Sequence, residues 1–212
     1  MTEASAIHAF LYPSYETDLA DPYLMTDMEA AVTRLMKAIG AREKVAVYGD
    51  YDIDGIVSTA LMAEVLGQHG LDPITYIPDR YDEGYGIHIG ALKELKSQGV
   101  SLVVSVDCGI TGIAEAEWAR QNGLDLVITD HHDVGQDIPR AHAVVNPKRP
   151  DDEYPFKELA GVGVAFAVVR ALQQQTGIPA AGQEKWLLDL VAMGTVCDVM
   201  PLVGENRVLV SF

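Results

Sequence analysis

From residue 44 onward, short apolar runs alternate with longer stretches of helical period. Residues 44–49, 72–77, 101–106, 125–129 and 143–145 are rich in Val, Ile and Leu without strict alternation, as expected of strands buried on both faces. Between them, 56–68, the stretch from Gly86 to about 98, and 112–122 read as helices. The first of these is apolar nearly all round and is expected to be buried, stopping near Gly70. Upstream, Thr26-Asp-Met-Glu29 matches a capping box, and Met28, Val32, Leu35, Met36 and Ile39 keep helical spacing up to a stop at Gly40. Residues 1–25, with Phe10-Leu-Tyr-Pro13 and Asp21-Pro22, read as an irregular apolar arm. After the charged loop 148–155, two mostly apolar helices are expected at about 160–176 and 184–196. The chain stops just beyond the start of another element, which reads as a truncation.

Repeated β-α-β units with continuous apolar strands predict an α/β fold: a Rossmann-like parallel five-stranded sheet with helices on both faces. Residues 1–43 would form an arm and a helix packed on the core, and 44–212 one domain. Ligands of such sheets bind beyond the C-terminal strand ends. The first strand runs into Asp50-Tyr-Asp52-Ile-Asp54-Gly55, the third ends at Asp107 and the fourth at Asp130-His131-His132, all on that edge. Asp50, Asp52 and Asp54 would share one face if the extended geometry persisted. The alternative is a polar strand-to-helix turn in which Asp54, before Gly55, caps the helix. Asp198 closes the apolar stretch Met193-Gly-Thr-Val-Cys.

Carboxylates brought together repel one another unless a cation lies among them. Asp50, Asp52, Asp54, Asp107, His131 and Asp198 make an oxygen-rich set with one or two imidazoles. That set suits Mn²⁺ or Mg²⁺ better than zinc. With five acids, two ions sharing one bridging carboxylate are more plausible than one, and such a pair promotes in-line displacement at phosphorus. Phosphoester or phosphoanhydride hydrolysis is the expected chemistry.

Composition adjusts this picture in two places. Hydrophobic residues make up 49%, yet no run reaches the length of a membrane span and the N-terminus resembles no signal peptide. The two cysteines, Cys108 and Cys197, argue against a disulfide-built fold and for a reducing, cytoplasmic setting, with both expected to act as small buried hydrophobes. The net charge of −16 is awkward for a nucleic-acid partner, which normally meets a basic surface. Bound divalent ions would offset only part of it.

Asp52-Ile-Asp54-Gly, Val106-Asp107-Cys-Gly-Ile, Asp130-His131-His132 and Gly194-Thr-Val-Cys-Asp198 resemble, in order, the four motifs of the DHH phosphoesterases. Tyr12-Pro13, Asp27-Met28-Glu29, Pro78-Asp-Arg80 through Gly84-Tyr-Gly86, Asn146-Pro147, Leu159-Ala-Gly-Val-Gly-Val-Ala165 and Val199-Met-Pro201-Leu202 bring the chain closest to that family's bacterial single-strand-specific 5′→3′ DNA exonucleases. The resemblance runs over essentially the whole chain. It implies one metal ion held by Asp50, Asp52 and Asp107, and a second by Asp54, Asp107, His131 and Asp198, with Asp107 bridging. It further implies that His132 stabilises charge at the scissile phosphate, that Arg80 contacts the nucleic-acid backbone, and that mononucleotides are released in DNA repair and recombination. Single-stranded DNA is the implied partner, with single-strand-binding protein a further one; no membrane is implied and the oligomeric state stays open. The DHHA1-type and OB-fold domains expected after this region are not in these residues, so the fragment would act weakly or distributively. Cys108 stands where many relatives carry Asn. The alternatives are another DHH phosphoesterase, acting on oligoribonucleotides, cyclic dinucleotides or pyrophosphate, and a non-catalytic replication scaffold.

Other residues take plainer readings. Asp130 would fix the loop or a histidine tautomer. Gly161-Val-Gly163 lacks a third glycine and reads as close helix packing, its amides offering at most a phosphate contact. Lys148, Arg149 and Lys157 read as a solvated loop, and His8, His69, His88 and His142 as surface or loop residues.

Overall fold

Among residues 4–212, which the computed structural model describes, five strands form one parallel sheet. They are β1 (Val45–Tyr48), β2 (Ile74–Tyr76), β3 (Leu102–Val106), β4 (Asp125–Thr129) and β5 (Ala143–Val145), in the order β2-β1-β3-β4-β5. Val47 pairs with Val104 and Val104 with Val127, so the three central strands are in step. The side-chain period of two divides the sheet between two cores. Val45, Val47, Leu102, Val104, Val106 and Val127 face one of them, whereas Ala46, Tyr48, Val103, Leu126 and Ile128 face the other.

The first core is closed by α2 (Met28–Ala41), α3 (Ile53–Gln68), α6 (Gly161–Thr176) and α7 (Leu188–Cys197). The second is closed by α4 (Ile89–Ser97) and α5 (Ile113–Gln121). The α6 helix is buried all round from Gly161 to Val169, which explains its apolar composition: it packs against α3, α2 and α7 at once. At the chain ends lie α1 (Ala4–Leu11) and α8 (Gly204–Ser211).

Strand order reverses between β1 and β3, since the chain leaves β1 for β2 on one side and returns to β3 on the other. The backbones diverge there and open a crevice beyond the C-terminal strand ends. Asp50 and Asp107 follow these two strands.

Several expectations change. The arm is not irregular throughout, because residues 4–11 form α1; residues 1–3 lie outside the described residues. The capping box is not made. Asp27, not Thr26, precedes α2, in the left-handed region (φ 63°), and its side chain serves Arg149 and the Val144 amide instead. The Thr26 amide is taken by Asp152. The helix passes Gly40 and ends at Ala41, with Arg42 in the left-handed turn. Arg149 is buried in ion pairs with Asp27 and Asp151 rather than solvated, since it ties the loop after β5 to the start of α2. Cys108 is buried, but Cys197 is exposed on the last turn of α7. Among the described residues, no helix is long and apolar enough to cross a membrane.

Candidate metal centre

The segment after β1 does not stay extended. The chain turns at Tyr51, and Asp52 rather than Asp54 caps α3, its Oδ1 accepting the Gly55 amide at 3.0 Å. Asp54 therefore sits inside the first helical turn. Alternate positions still bring acids to one place, through a strand end, a cap and a helix face instead of one pleated face.

Asp54 is buried, and its carboxylate is clasped by the first amides of α6: Gly161 donates to Oδ2 at 2.7 Å and Val162 to Oδ1 at 2.9 Å. A helix N-terminus suits a carboxylate as it suits any anion. The Gly161 and Val162 amides are thus already engaged by the protein's own anion, not free for a phosphate. The glycine at 161 has a second cause. A Cβ there would lie 2.3 Å from Asp107 Oδ1, so only glycine lets α6 approach this closely. Gly194 on α7 is constrained likewise, its added Cβ falling 2.5 Å from Asp54 Oδ1.

Asp107 follows β3 with φ 62°, a left-handed conformation that turns the chain at the strand terminus. His131 Nε2 lies 3.2 Å from Asp107 Oδ1, 3.6 Å from Asp198 Oδ2 and 4.0 Å from Asp54 Oδ2. Three sets of ligand atoms each fall within 4.8 Å: Asp50, Asp52 and Asp107; Asp54, His131 and Asp198; and Asp107, His131 and His132. All six proposed ligands belong to this cluster. Asp198 reaches it as the residue that ends α7, and Val199, at φ 57°, reverses the chain behind it.

The electrostatics are unfavourable as they stand. Burial, then the neighbouring Asp54, Asp52, Asp130 and Asp50, pushes the Asp107 carboxyl far above the usual carboxylate range. Burial raises Asp54 as well, outweighing its two amide bonds, and raises Asp50. Burial also lowers His131, favouring the neutral imidazole, the form that can donate a lone pair. Asp50 Oδ1, Asp107 Oδ1 and both ring nitrogens of His131 are buried without a hydrogen-bond partner. Buried polar atoms are rarely left so. Carboxylate oxygens converging on a neutral imidazole, with no lysine or arginine in the set, fit hard divalent cations.

His132 is held differently. Its Nδ1 lies 2.8 Å from Asp130 Oδ1 and 3.0 Å from the Tyr85 hydroxyl, and its carbonyl accepts Asn146 Nδ2 at 3.0 Å. Asp130 is fully buried and also accepts the Ile110, His131 and His132 amides. It acts as the brace expected of it. The hydrogen bond to Asp130 raises the His132 pKa. Arg80 lies over the ring of Tyr51, 5.1 Å from its centroid, and Tyr51 is the residue between Asp50 and Asp52 in the chain. Sequence reasoning gave no role to Tyr85, Asn146 or Gly194. The Gly84-Tyr-Gly86 run, Asn146-Pro147 and the place of Gly194, four residues before Asp198, are the signals that point to them.

The family model described as "DHH family, N-terminal domain" matches residues 44–195. The single-stranded-DNA-specific exonuclease RecJ of Bacillus subtilis is 43% identical over 208 residues, covering 98% of this chain and 25% of that protein. The Escherichia coli RecJ is 39% identical, covering 87% of this chain and 34% of that one. A crystal structure of exonuclease RecJ bound to manganese superposes with a TM-score of 0.79 at 36% identity, covering 88% of this chain and 46% of that chain. The chain thus spans a quarter to a third of these curated relatives.

Proposed function

The chain belongs to the DHH family, and on that premise we propose that it carries the catalytic centre of a metal-dependent 5′→3′ exonuclease acting on single-stranded DNA. The reading is carried by one observation. Candidate ligand atoms from the ends of β1, β3 and β4 and from α3 and α7 meet at the C-terminal edge of the sheet, and those of Asp50, Asp107 and His131 are buried without a hydrogen-bond partner. Asp50, Asp52 and Asp107 would hold one divalent ion, Mn²⁺ or Mg²⁺, and Asp54, His131 and Asp198 a second, with Asp107 between them. When bound, such ions supply Lewis acidity and charge neutralisation at a phosphate at neutral pH.

The protein's own groups do the rest. The α6 amides fix the orientation of Asp54, so that its oxygens do not have to reorganise when a substrate enters. Asp130 holds the His132 ring in place and favours its protonated form, which stabilises negative charge developing on a phosphoryl oxygen. Arg80, over Tyr51, meets the backbone of the strand. The manganese bound in the RecJ structure supports the choice of ion. Single-strand-binding protein as a partner and a cytoplasmic setting accord with this reading. Neither is needed for the chemistry.

The test is digestion of a 5′-labelled single strand by the purified chain with Mn²⁺. Release of labelled mononucleotide, its loss in Asp107→Ala and the sparing of blunt duplex would support the proposal. Activity confined to di- or trinucleotides, cyclic dinucleotides or pyrophosphate would assign the centre to another branch of the family.

A further inference from the structure

The loop between β2 and α4 is shaped by its own hydrogen bonds. Asp79 Oδ1 accepts the Tyr81 and Asp82 amides at 2.8 and 3.0 Å. Glu83 Oε2 accepts the Asp79 amide at 2.9 Å, and the Tyr76 hydroxyl on β2 donates to Glu83 Oε1 at 2.7 Å. Both flanks of this turn are fastened to the acidic centre. On one flank Arg80 lies on the ring of Tyr51, between Asp50 and Asp52; on the other the Tyr85 hydroxyl meets His132. Between these two anchors stands Tyr81, which is 94% exposed.

That exposure has no structural return. A tyrosine presented to water at the tip of a hydrogen-bonded turn contributes nothing to either core, and any small polar residue would satisfy the turn. The other two tyrosine hydroxyls of the region, on Tyr76 and Tyr85, both have partners. Tyr81, next in the chain to Arg80, presents an exposed ring in a turn whose two flanks contact Tyr51 and His132 of a site suited to phosphate chemistry. Aromatic faces next to basic groups are how proteins grip single-stranded nucleic acid without reading its sequence, since every base has a π-face. Stacking also answers a difficulty set by charge. With a net charge of −16 the chain attracts a polyanion poorly, and stacking draws on no counterion release.

On the nuclease reading above, we propose that Tyr81 is a stacking platform for a base of the bound strand, and that it contributes to selection of single strands. A base inside a duplex already has neighbours on both faces and offers none to the ring. A strand with a free base pays no such unstacking cost. Tyr81 therefore acts on binding, through KM, and not on the chemical step.

The experiment compares the wild-type chain, Tyr81→Ala and Tyr81→Phe, with Mn²⁺. The substrates are a labelled single-stranded oligodeoxynucleotide and copies bearing one abasic nucleotide at successive positions from the 5′ end. The wild type is expected to show a KM raised about tenfold at one abasic position. Tyr81→Ala should show that same increase on the intact strand, with kcat nearly unchanged, and lose its sensitivity to the abasic position. Tyr81→Phe should behave as the wild type. Equal KM for the wild type and Tyr81→Ala on intact strands would overturn the proposal, as would a Tyr81→Phe defect equal to that of Tyr81→Ala. A wild-type chain that cleaves none of these strands overturns the nuclease reading, and this proposal with it.

Discussion

His131 Nε2 approaches Asp107 Oδ1 to 3.2 Å, and neither atom has a hydrogen-bond partner. Two lone-pair donors this close, one on a buried acid whose pKa is pushed far up, make an arrangement that lacks a positive charge. A divalent cation is the simplest group that supplies it.

Mn²⁺ or Mg²⁺ should accordingly stabilise the fold. Binding to the folded state alone adds about 2.7 kcal/mol at a hundredfold excess over Kd. For a domain of this size that is about 5–10 °C in Tm. Differential scanning fluorimetry should record the rise and its reversal by chelator. Asp107→Asn should abolish the rise while leaving the metal-free protein at least as stable as the wild type at pH 8, because it removes a carboxyl whose ionisation burial and the neighbouring acids oppose in the fold.

Gly161→Ala and Gly194→Ala should damage the centre without touching a ligand. Each new methyl would meet a carboxylate oxygen, of Asp107 or Asp54, at 2.3 and 2.5 Å. Overpacking of this kind costs about 1–3 kcal/mol. Denaturant titration should register that loss, and calorimetry a Mn²⁺ affinity lowered at least about tenfold, as for other disturbances of ligand geometry.

His132→Ala should lower kcat by about 10²–10³, the range for removing one donor to a developing oxyanion. KM should change little. Asp130→Asn should shift kcat in the same direction, because the brace on the ring is weakened. Single-turnover rates on a labelled strand would check both, with Mn²⁺ titration verifying that the ions still bind.

Away from the centre, Glu205 on α8 is buried, accepting the Tyr154 hydroxyl at 2.6 Å and the Ala20 amide at 3.3 Å. Burial, the largest influence, raises its pKa above the ordinary glutamate value. A raised acid stabilises the fold fully below the unfolded-state pKa, and that contribution is lost as pH rises through the folded-state pKa. Glu205→Gln does not titrate. Its Tm relative to the wild type should therefore climb as pH goes from 4 towards neutral, measured by scanning fluorimetry in chelator. A difference that is flat or falling over that range would contradict the assignment.

Much of the scaffold was legible along the chain. β4 and β5 begin and end where the apolar runs do, and α6 ends at Thr176 before Gly177, as its period indicates. Misreadings arose where a side chain had a distant partner. The Thr26-to-Glu29 pattern is locally sufficient for a capping box, yet Asp152 and Arg149, more than a hundred residues away, compete for the same groups and win. Arg149 in turn looks like a loop residue until Asp27 arrives beside it. Cys197 adjoins an apolar stretch, but the side of α7 it occupies is set by Gly194 packing on α3.

That Asp50, Asp107 and His131 lie on one rim followed from the chain alone, because parallel strands send all their C-terminal ends to the same edge. Which oxygen stands near which nitrogen did not. That depended on α6 seating its amides on Asp54 and on α7 delivering Asp198 across the sheet. Strand direction is a local property carried by the hydrophobic pattern, whereas the meeting of residues 54, 107, 131 and 198 depends on helices packing to within the width of a missing methyl.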